Sequence, residues 1–408
     1  MTAADTHRAI EAVWRIESAR LIAGLARMTR DVGLAEDLAQ DALVAALEQW
    51  PGSGVPENPG AWLMAAAKNK GIDLLRRHKK LEEIRRAMET PSAEVEEDDD
   101  LLRLVFVACH PVLAPEARVA LTLRLLGGLT TDEIARAFLV PEPTIAQRIV
   151  RAKKTLAEQR VPFEVPAAAD LSARLGSVLE VLYLVFNEGY AATAGDDWTR
   201  PALCEDALRL GRMLAELAPE PEVHGLVALM EIQASRLGAR VGPSGEPILL
   251  LDQNRARWDP LLIRRGLAAL ERAGTSKGPY VLQAAIAACH ARARAAADTD
   301  WARIAGLYAE LMGVAPSPVV ELNRAVAVAM ASGPAAGLAI ADALREDPSL
   351  RRYHLLPSVR GELLGRLGRF EEARGECERA AGLTRNARER ELLLRRAADF
   401  GAKARGGH

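Results

Sequence analysis

The sequence lacks the patterns by which many enzymes, metalloproteins and disulfide-rich proteins are recognised. It contains no P-loop and no G-x-G-x-x-G, and its seven histidines form no i, i+4 ligand pair. The four cysteines are isolated, without a C-x-x-C pair, which suits buried positions in a reducing compartment. We therefore predict that the chain is not an enzyme and that it holds no cofactor, metal ion or disulfide.

Long apolar segments and an excess of one charge are also missing. No run of 18 apolar residues occurs, and the first residues contain no leader-like apolar stretch, so we expect a cytoplasmic chain without a membrane span. A net charge of −2 over 408 residues argues against indiscriminate coating of nucleic acid. The aromatic content of 4% and the scarcity of β-branched runs favour an all-α protein of two or three domains.

The segment from Thr130 to Leu156 predicts a helix-turn-helix. Thr130 and Glu133 have the spacing of a capping box, which begins the first helix. Pro141 disfavours a helical conformation at the residue before it, so the first helix is expected to end there. Pro143 can then occupy the first turn of the second helix, where its missing N–H costs nothing.

The second helix of this segment has an apolar face and a polar face. The apolar positions follow the helical period and are expected to be buried: Ile145, Ile149, Ala152 and Leu156. The opposite face carries Thr144, Gln147, Arg148 and Arg151. Arginine can bond guanine bidentately and glutamine can bond adenine, so this face suits base reading in the major groove. The alternative is an ordinary helical hairpin with a solvated basic face.

A second basic block lies upstream, between Trp62 and Lys80. Residues 68–80 contain six lysines and arginines and a single acid, Asp73. Such a cluster neutralises phosphates and gives an affinity that depends on salt. Trp62 could stack on a base, as aromatic residues do in single-strand sites, or it could simply pack in the core.

An acidic helix is predicted from Leu34 to Trp50. Asp37, Gln40 and Asp41 share one face of it. An acidic face beside a basic DNA-facing helix weakens the affinity for DNA, and it makes sense if that face binds a protein partner. Taken by itself, the segment is better explained as a solvated helix surface without a partner.

In this order, the three segments resemble an extracytoplasmic-function (ECF) sigma factor of bacterial RNA polymerase. The acidic pattern of residues 35–42 resembles the part of the family that binds the clamp helices of the polymerase. The pattern WL…A-x-N-x-x-x-D-x-x-R-R, at residues 62–77, resembles the helix that melts and reads the minus-10 element. The pattern EIA…T-[VI]-x-x-R-x-x-R-A, at residues 133–152, resembles the domain that reads the minus-35 element.

The resemblance implies three sets of binding residues and two macromolecular partners, promoter DNA and core RNA polymerase with its β′ clamp and β flap. The set for the polymerase clamp is Asp37, Gln40 and Asp41. The set for the minus-10 element is Trp62, Lys68, Asn69, Arg76 and Arg77. The set for the minus-35 element is Thr144, Gln147, Arg148, Arg151, Lys153 and Lys154.

The chain departs from the family pattern at a few positions. Leu43 stands where phenylalanine is common, and Leu139 stands where glycine is common in the turn. Pro141 and Pro143 flank Glu142 where small polar residues are usual. These changes can alter the entry angle of the recognition helix, and therefore the promoter sequence that it reads.

Composition and the resemblance together predict five segments. The resemblance implies sigma region 2 at residues 1–86 and the region 4 helix-turn-helix at residues 101–161, with an acidic linker at residues 87–100 between them. A second linker spans residues 162–170, and residues 171–408 form a larger helical extension. The six acids between Glu94 and Asp100 are expected to keep the first linker extended and solvated.

The extension has a weak internal period of about 34 residues, which is typical of tetratricopeptide-like helical repeats. Its best copy places Gly361, Gly368, Phe370, Ala373 and Ala380 at tetratricopeptide-like spacings. Small residues there would let the two helices of a repeat approach closely, and stacked pairs would bury a shared core.

The extension also resembles that of one ECF subgroup, in which a fused helical domain replaces a membrane anti-sigma factor. Three stretches carry this resemblance: residues 186–190, 196–201 and 250–259. It implies a partnership with small DGPF/YCII-type proteins and a regulatory interface made by Asn187, Glu188, Tyr190, Asp197, Trp198 and Arg200. The alternative is that these residues cap helices and pair with one another structurally.

Two other functions are compatible with the same residues. A free-standing helix-turn-helix regulator with a helical-repeat sensor domain would bind duplex DNA tightly without polymerase. An interaction scaffold, whose basic segments are only solvated surface, would show no preference for any DNA sequence.

Overall fold

The computed structural model describes residues 3–76, 97–138, 140–192 and 194–406, and these residues are mostly helical. Contacts divide the chain into two compact units, Met1–Leu184 and Val185–His408. The all-α class predicted from the sequence is confirmed. In the described part of the chain, no helix combines the length and the apolar character needed to cross a bilayer.

The first unit is built from helices on either side of residues 77–96, which lie outside the described residues. The helices are α1 Ala3–Thr29, α2 Val32–Ser53, α3 Pro59–Arg76, α4 Glu97–Ala108, α5 Pro115–Leu125, α6 Thr131–Phe138, α7 Glu142–Glu158 and the first part of α8 Ala168–Tyr190. Helices α1, α2 and α3 pack on one another, and α1 also packs on α4. Helix α7 packs on α5 and α6. Leu25, Leu38 and Trp50 are among the buried residues of the first group, and Leu121 and Ile145 are among those of the second.

The helix-turn-helix lies where the sequence predicts it. The backbone N–H of Glu133 donates to Thr130 Oγ1 over 3.1 Å, and the Thr130 N–H donates to the Glu133 carboxylate over 2.8 Å. This capping box begins α6. Helix α7 starts at Glu142 and holds Pro143 in its first turn, and all four predicted apolar positions of α7 are buried.

The acidic segment before α4 differs from our prediction. We expected residues 87–100 to stay extended, but α4 already starts at Glu97, and Asp100 is buried at 4% exposure. The Asp100 carboxylate accepts hydrogen bonds from Arg27 Nε and Arg103 Nη1, each over 2.7 Å. These arginines offset the cost of burying the charge. The run of acids alone does not predict the burial of Asp100, because Arg27, which balances its charge, lies 73 residues away in the chain.

The boundary between the two units also differs from the predicted linker at residues 162–170. Helix α8 begins at Ala168, and the division between the units falls within it, after Leu184. Arg174 donates to the carbonyl of Phe106 over 2.8 Å, and Ser177 Oγ lies 2.7 Å from the carbonyl of Cys109. The start of the predicted extension therefore packs with the helix-turn-helix unit.

The second unit is a succession of helices joined by short loops and 3-10 turns. Its helices are the end of α8, α9 Pro201–Leu217, α10 Pro221–Ala234, α11 Pro260–Arg272, α12 Pro279–Arg292, α13 Trp301–Val314, α14 Pro318–Ser332, α15 Pro334–Ala343, α16 Leu355–Arg366, α17 Phe370–Leu383 and α18 Ala387–Gly406. Many of them start with proline, which lacks the N–H that a first helical turn leaves unbonded. From α12 to α18, each helix packs on the next.

Small residues bring α16 and α17 together, as the sequence predicts. A Cβ atom at Gly361 would lie 3.0 Å from Cys377 Sγ and 3.2 Å from the carbonyl oxygen of Ala373. Gly368 adopts a φ of +76° in the turn between the two helices, a conformation that favours glycine. The assignment of these pairs to the tetratricopeptide class stays a prediction.

A two-residue parallel strand pair joins distant parts of the second unit. Strand β1 (Ala194–Gly195) pairs with β2 (Arg385–Asn386). The Asn386 side chain donates to the carbonyls of Ala192 over 3.1 Å and Asp197 over 2.8 Å. We predicted no strand from the sequence, and a pair this short has no alternation of apolar and polar residues by which to detect it.

Candidate functional site

The polar face of α7 is open to solvent, opposite the buried apolar face. Gln147 and Arg151 are exposed, and Thr144 and Arg148 are half-buried. Lys154, further along the helix, has 72% of its side chain exposed. The side chains predicted to read the minus-35 element therefore share an accessible helix face, which is the geometry that major-groove reading requires.

Lys153 differs from the other residues of the minus-35 set. Only 19% of its side chain is exposed, and its Nζ contacts the Glu36 carboxylate and lies 3.6 Å from Asp37 Oδ1. In this conformation Lys153 is engaged by α2. A phosphate contact by Lys153, as the sequence predicts, requires this ion pair to break.

The acidic face predicted on α2 is present, although its members differ in exposure. Asp37 has 75% of its side chain exposed, while Gln40 and Asp41 are half-buried. Asp31 caps the start of the helix by accepting hydrogen bonds from the backbone N–H groups of Gly33 and Leu34. This cap fixes the first turn of α2, from which the acidic face continues.

Sequence reasoning missed Glu36, which joins α2 to α5 and α7. Glu36 is 3% exposed, and its carboxylate accepts a hydrogen bond from Arg124 Nε over 2.6 Å as well as contacting Lys153. Arg124 also donates to the carbonyl of Leu129 over 3.1 Å, which holds the guanidinium in place. We call Glu36, Arg124 and Lys153 the Glu36 ion-pair cluster. It links the region predicted to bind polymerase to the region predicted to bind DNA.

The predicted minus-10 residues lie on or after α3. The Trp62 ring is half-buried and meets the Trp50 ring edge to face, with centroids 5.2 Å apart. Asn69 is exposed, and Lys68 is half-buried. Arg76 is the last residue of α3, and Arg77 lies outside the described residues, as does the rest of the basic block.

The stretches predicted to form a regulatory interface are partly occupied by contacts within the domain. Residues 186–190 form the last turn of α8. Glu188 and Arg200 form an ion pair, with only 11% and 13% of their side chains exposed. The Arg200 N–H also donates to the carbonyl of Gly189 over 2.7 Å. Glu188 and Arg200 therefore join α8 to the start of α9, as the structural alternative requires.

The other members of the predicted interface vary in exposure. Tyr190 is buried at 9% exposure, and Asn187 and Trp198 are half-buried. Asp197 is exposed, and its carbonyl accepts the hydrogen bond from Asn386 described above.

The second and third stretches meet the first around arginines that sequence reasoning missed. Arg236 and Arg240 follow the end of α10, and their guanidinium carbons lie 5.7 and 3.8 Å from the centroid of the Tyr190 ring. Arg255, from the third stretch, lies over the Trp258 ring at 4.7 Å. We call this group the arginine–aromatic cluster: Arg236, Arg240 and Arg255 with the rings of Tyr190, Trp198 and Trp258. No local pattern marks Arg236 or Arg240 as its members.

Thiol and metal chemistry have little support in the described residues. No group of three or more histidine, cysteine or acidic side chains is arranged there to hold a metal ion. Burial raises the pKa of the Cys109 and Cys377 thiols to about 11 and that of Cys204 to about 12. These thiols are therefore protonated and unreactive at neutral pH.

Comparison with known families divides the chain in the order that the motifs predict. Residues 16–81 match Sigma-70 region 2, and residues 103–156 match Sigma-70, region 4. Residues 174–274 match a family of unknown function, DUF6596. This last match contains the stretches predicted to be regulatory and the whole arginine–aromatic cluster.

Relatives of the chain are found among bacterial proteins. An uncharacterized protein of Rhizobium meliloti, R00370, is 43% identical over 380 residues, which cover 90% of this chain and 89% of that protein. SigI of Mycobacterium tuberculosis, a probable ECF RNA polymerase sigma factor, is 26% identical over 173 residues, or 40% of this chain and 59% of that protein. No solved structure gives a significant match to the chain.

Proposed function

Because this chain belongs to the same family as the R00370 protein and carries sigma-70 regions 2 and 4, we propose that it is an alternative sigma factor of the ECF type. It directs bacterial RNA polymerase to specific promoters, and its C-terminal helical domain controls that activity. It acts as a transcription initiation factor and not as an enzyme. It acts in the cytoplasm, where RNA polymerase transcribes the chromosome.

One observation carries the proposal: an accessible base-reading face and an accessible acidic face lie on different helices of one compact unit. The α7 face offers Gln147 and Arg151 to solvent, while α2 offers Asp37. The α7 face is suited to base reading in DNA, whereas the acidic α2 face repels DNA phosphates. A protein that binds DNA by itself gains nothing from the acidic face, whereas a subunit that must also hold polymerase does.

The residue sets then take the roles that the family implies. The β′ clamp of core polymerase binds Asp37, Gln40 and Asp41, and the β flap contacts region 4. Region 2 melts the minus-10 element with Trp62, Lys68, Asn69, Arg76 and Arg77. Region 4 reads the minus-35 element with Thr144, Gln147, Arg148 and Arg151, and Lys153 and Lys154 contact phosphates. The C-terminal domain, with Asn187, Glu188, Tyr190, Asp197, Trp198 and Arg200, provides control together with small DGPF/YCII-type proteins.

The Glu36 ion-pair cluster suggests one element of that control. Lys153 and Asp37 belong to surfaces for different partners, yet their charged groups lie 3.6 Å apart. While Lys153 is held by Glu36 and Asp37, it is not available to a DNA phosphate. A phosphate contact by Lys153 therefore requires its ion pairs with Glu36 and Asp37, which join α7 to α2, to open.

Arg148 and Lys154 provide a matched pair for testing base reading in region 4. With core polymerase and a promoter selected from genomic DNA, Arg148→Ala should lose about 1–3 kcal/mol of discrimination between the native and a scrambled minus-35 sequence. Lys154→Ala should weaken binding equally on both sequences. It should also reduce the slope of log affinity against log salt concentration by about 1, as expected for the loss of one phosphate contact. Equal losses on both sequences in the Arg148 variant would reject its base-reading role.

The same binding measurements separate the two alternative functions. Tight, specific binding of the promoter by the chain alone, unchanged by polymerase, would identify a free-standing regulator. Weak binding without sequence preference, with and without polymerase, would identify a scaffold.

A further inference from the structure

The arginine–aromatic cluster concentrates positive charge in a largely buried part of the second unit. Two guanidinium groups lie near the Tyr190 ring: that of Arg240 is 3.8 Å from its centroid, and that of Arg236 is 5.7 Å from it and donates to the Tyr190 hydroxyl. The Trp258 ring is likewise shared, by Arg236 at 5.7 Å and Arg255 at 4.7 Å. Arg236 thus lies near both rings, and its charge acts on both Arg240 and Arg255.

The charges of the cluster are poorly balanced by acids. Burial lowers the pKa of Arg240, and the neighbouring charge of Arg236 lowers it further, while Tyr190 and Cys204 oppose the shift. In the described part of the chain, no carboxylate is among the groups that shift the pKa of Arg240. Asp298 is near Arg255, although burial and Arg236 still lower the pKa of that residue. Buried charge without a counter-ion is costly, so a structure that retains it needs a compensating partner.

The nearby histidine adds no further positive charge to the cluster. Burial, together with Arg236 and Arg255, lowers the pKa of His290 to about 4, so its imidazole is neutral at pH 7. Its ring stacks edge to face on Trp301, with the centroids 5.2 Å apart. His290 can therefore offer a ring nitrogen to a ligand without adding to the charge.

Buried nitrogen atoms without partners surround the same place. Among the described residues, no hydrogen-bond partner is found for six of them: Nε of Arg236, Arg240 and Arg255, the indole nitrogens of Trp198 and Trp258, and Nδ1 of His290. Buried polar groups are almost always hydrogen-bonded, so a concentration of exceptions needs an explanation. Other guanidinium nitrogens of the cluster are already bonded: Arg236 Nη2 donates to the Tyr190 hydroxyl over 2.6 Å, and Arg255 Nη1 donates to the carbonyls of His290 and Ala293. The Nε donors are therefore the part of these arginines that a ligand could still satisfy.

From these observations, we propose that the arginine–aromatic cluster is a binding site for the oxyanion group, carboxylate or phosphate, of a small ligand. An oxyanion supplies both the missing negative charge and several acceptor oxygens, and the fork of N–H donors in a guanidinium matches its geometry. The aromatic rings hold the guanidinium groups in fixed orientations, so little side-chain entropy is lost on binding. The site lies among the predicted regulatory stretches, which makes it a candidate point of entry for a signal.

Calorimetric titration of the full chain with inorganic phosphate, and separately with citrate, tests the proposal. Sodium chloride at matched ionic strength is the control for screening. We expect saturable binding of at least one of the two anions, accompanied by a rise in the unfolding temperature that chloride does not produce. Tighter binding of phosphate would indicate a phosphorylated ligand, and tighter binding of citrate a carboxylate ligand.

Arg240 and Arg257 provide the matched variants. Arg240→Gln should weaken the binding of the anion by about tenfold or more, because it removes charge-assisted hydrogen bonds. Arg257→Gln, at an exposed arginine two residues after Arg255, should leave binding unchanged. Should Arg240→Gln fail to fold, Arg240→Lys keeps the charge but loses the fork, and should still bind more weakly than the parent chain.

Two results would overturn the proposal. One is the absence of saturable binding by either anion, and the other is equal binding by the Arg240 and Arg257 variants. Neither measurement involves polymerase or promoter DNA, so the outcome is independent of the proposed sigma function.

Discussion

Replacement of Glu36 by alanine tests whether the Glu36 ion-pair cluster holds α2 against α7. The variant loses the carboxylate that accepts from Arg124 over 2.6 Å and contacts Lys153. Both cations remain where they are mostly buried, at 17% and 19% side-chain exposure. The destabilisation is large mainly because two mostly buried cations are left without a counter-ion, and only in part because their attraction to Glu36 is lost.

The expected destabilisation is about 3 kcal/mol, at the low end of the 3–5 kcal/mol typical when one partner of a buried ion pair is removed. The low end applies because nearly a fifth of each cation's side chain is exposed to solvent, so water can replace part of the lost interaction. Since 1.4 kcal/mol corresponds to a factor of ten, the equilibrium for separating α2 from α7 should shift by about a hundredfold.

Hydrogen exchange measured by mass spectrometry locates this change. Peptides from α2 and α7 should lose about a hundredfold in protection, while peptides from α14 to α18 in the second unit keep theirs. Asp37→Asn is the matched control, because Asp37 is 75% exposed and 3.6 Å from Lys153, and surface pairs contribute about 0–1 kcal/mol. Equal, small losses in both variants would refute the reasoning that the buried Glu36 contact holds the two helices together.

Two further predictions concern activity and packing, and one concerns pH. If the cluster restrains the sigma function, Glu36→Gln should raise promoter-specific transcription with core polymerase, and unchanged or reduced transcription would count against that restraint. Gly361→Val should lower the free energy of unfolding by about 1–3 kcal/mol in urea titrations, because its Cβ would lie 3.0 Å from Cys377 Sγ. Gly375→Ala, in open space on α17, should instead be neutral or stabilising by up to about 1 kcal/mol, and a similar loss in both variants would contradict the close approach. The pKa of His290 is lowered from 6.5 to about 4, so the unfolded chain takes up a proton between these values that the folded chain does not, and stability falls as the pH drops through that window. His290→Asn should reduce this fall in thermal unfolding measured from pH 7 to 4, and an unchanged pH profile would show that His290 is not responsible.

Features that depend on neighbouring residues could be predicted from the sequence. The capping box of Thr130 and Glu133 involves residues three positions apart, so its hydrogen bonds follow from spacing alone. The buried face of α7 follows from the helical period of its apolar residues, and the position of Pro143 follows from the chemistry of proline. The same reasoning placed the polar face of α7, which is predicted to read bases, on the solvent side.

Features that depend on distant residues could not be predicted. Glu36 looks like one more acid on an acidic helix, and its partner Arg124 is 88 residues away. Asp100 looks like part of a solvated acidic run, until Arg27 is brought beside it by the packing of α1 on α4. Ion pairs of this kind depend on tertiary packing, and hydrophobic periodicity carries no information about them.

The arginine–aromatic cluster is an intermediate case. The stretches containing Tyr190, Trp198 and Trp258 stand out by their polar and aromatic composition, but their convergence on Arg236 and Arg240 does not. It arises because the end of α8, the end of α10 and a 3-10 turn at residues 255–257 meet in three dimensions.

The most direct test of the central claim is in vitro transcription with bacterial core polymerase and the full chain on a library of genomic promoter fragments. A sigma factor should yield discrete transcripts that require the chain and start at a fixed distance downstream of shared minus-35 and minus-10 sequences. The absence of chain-dependent transcripts, alongside specific binding of DNA by the chain alone, would contradict the account.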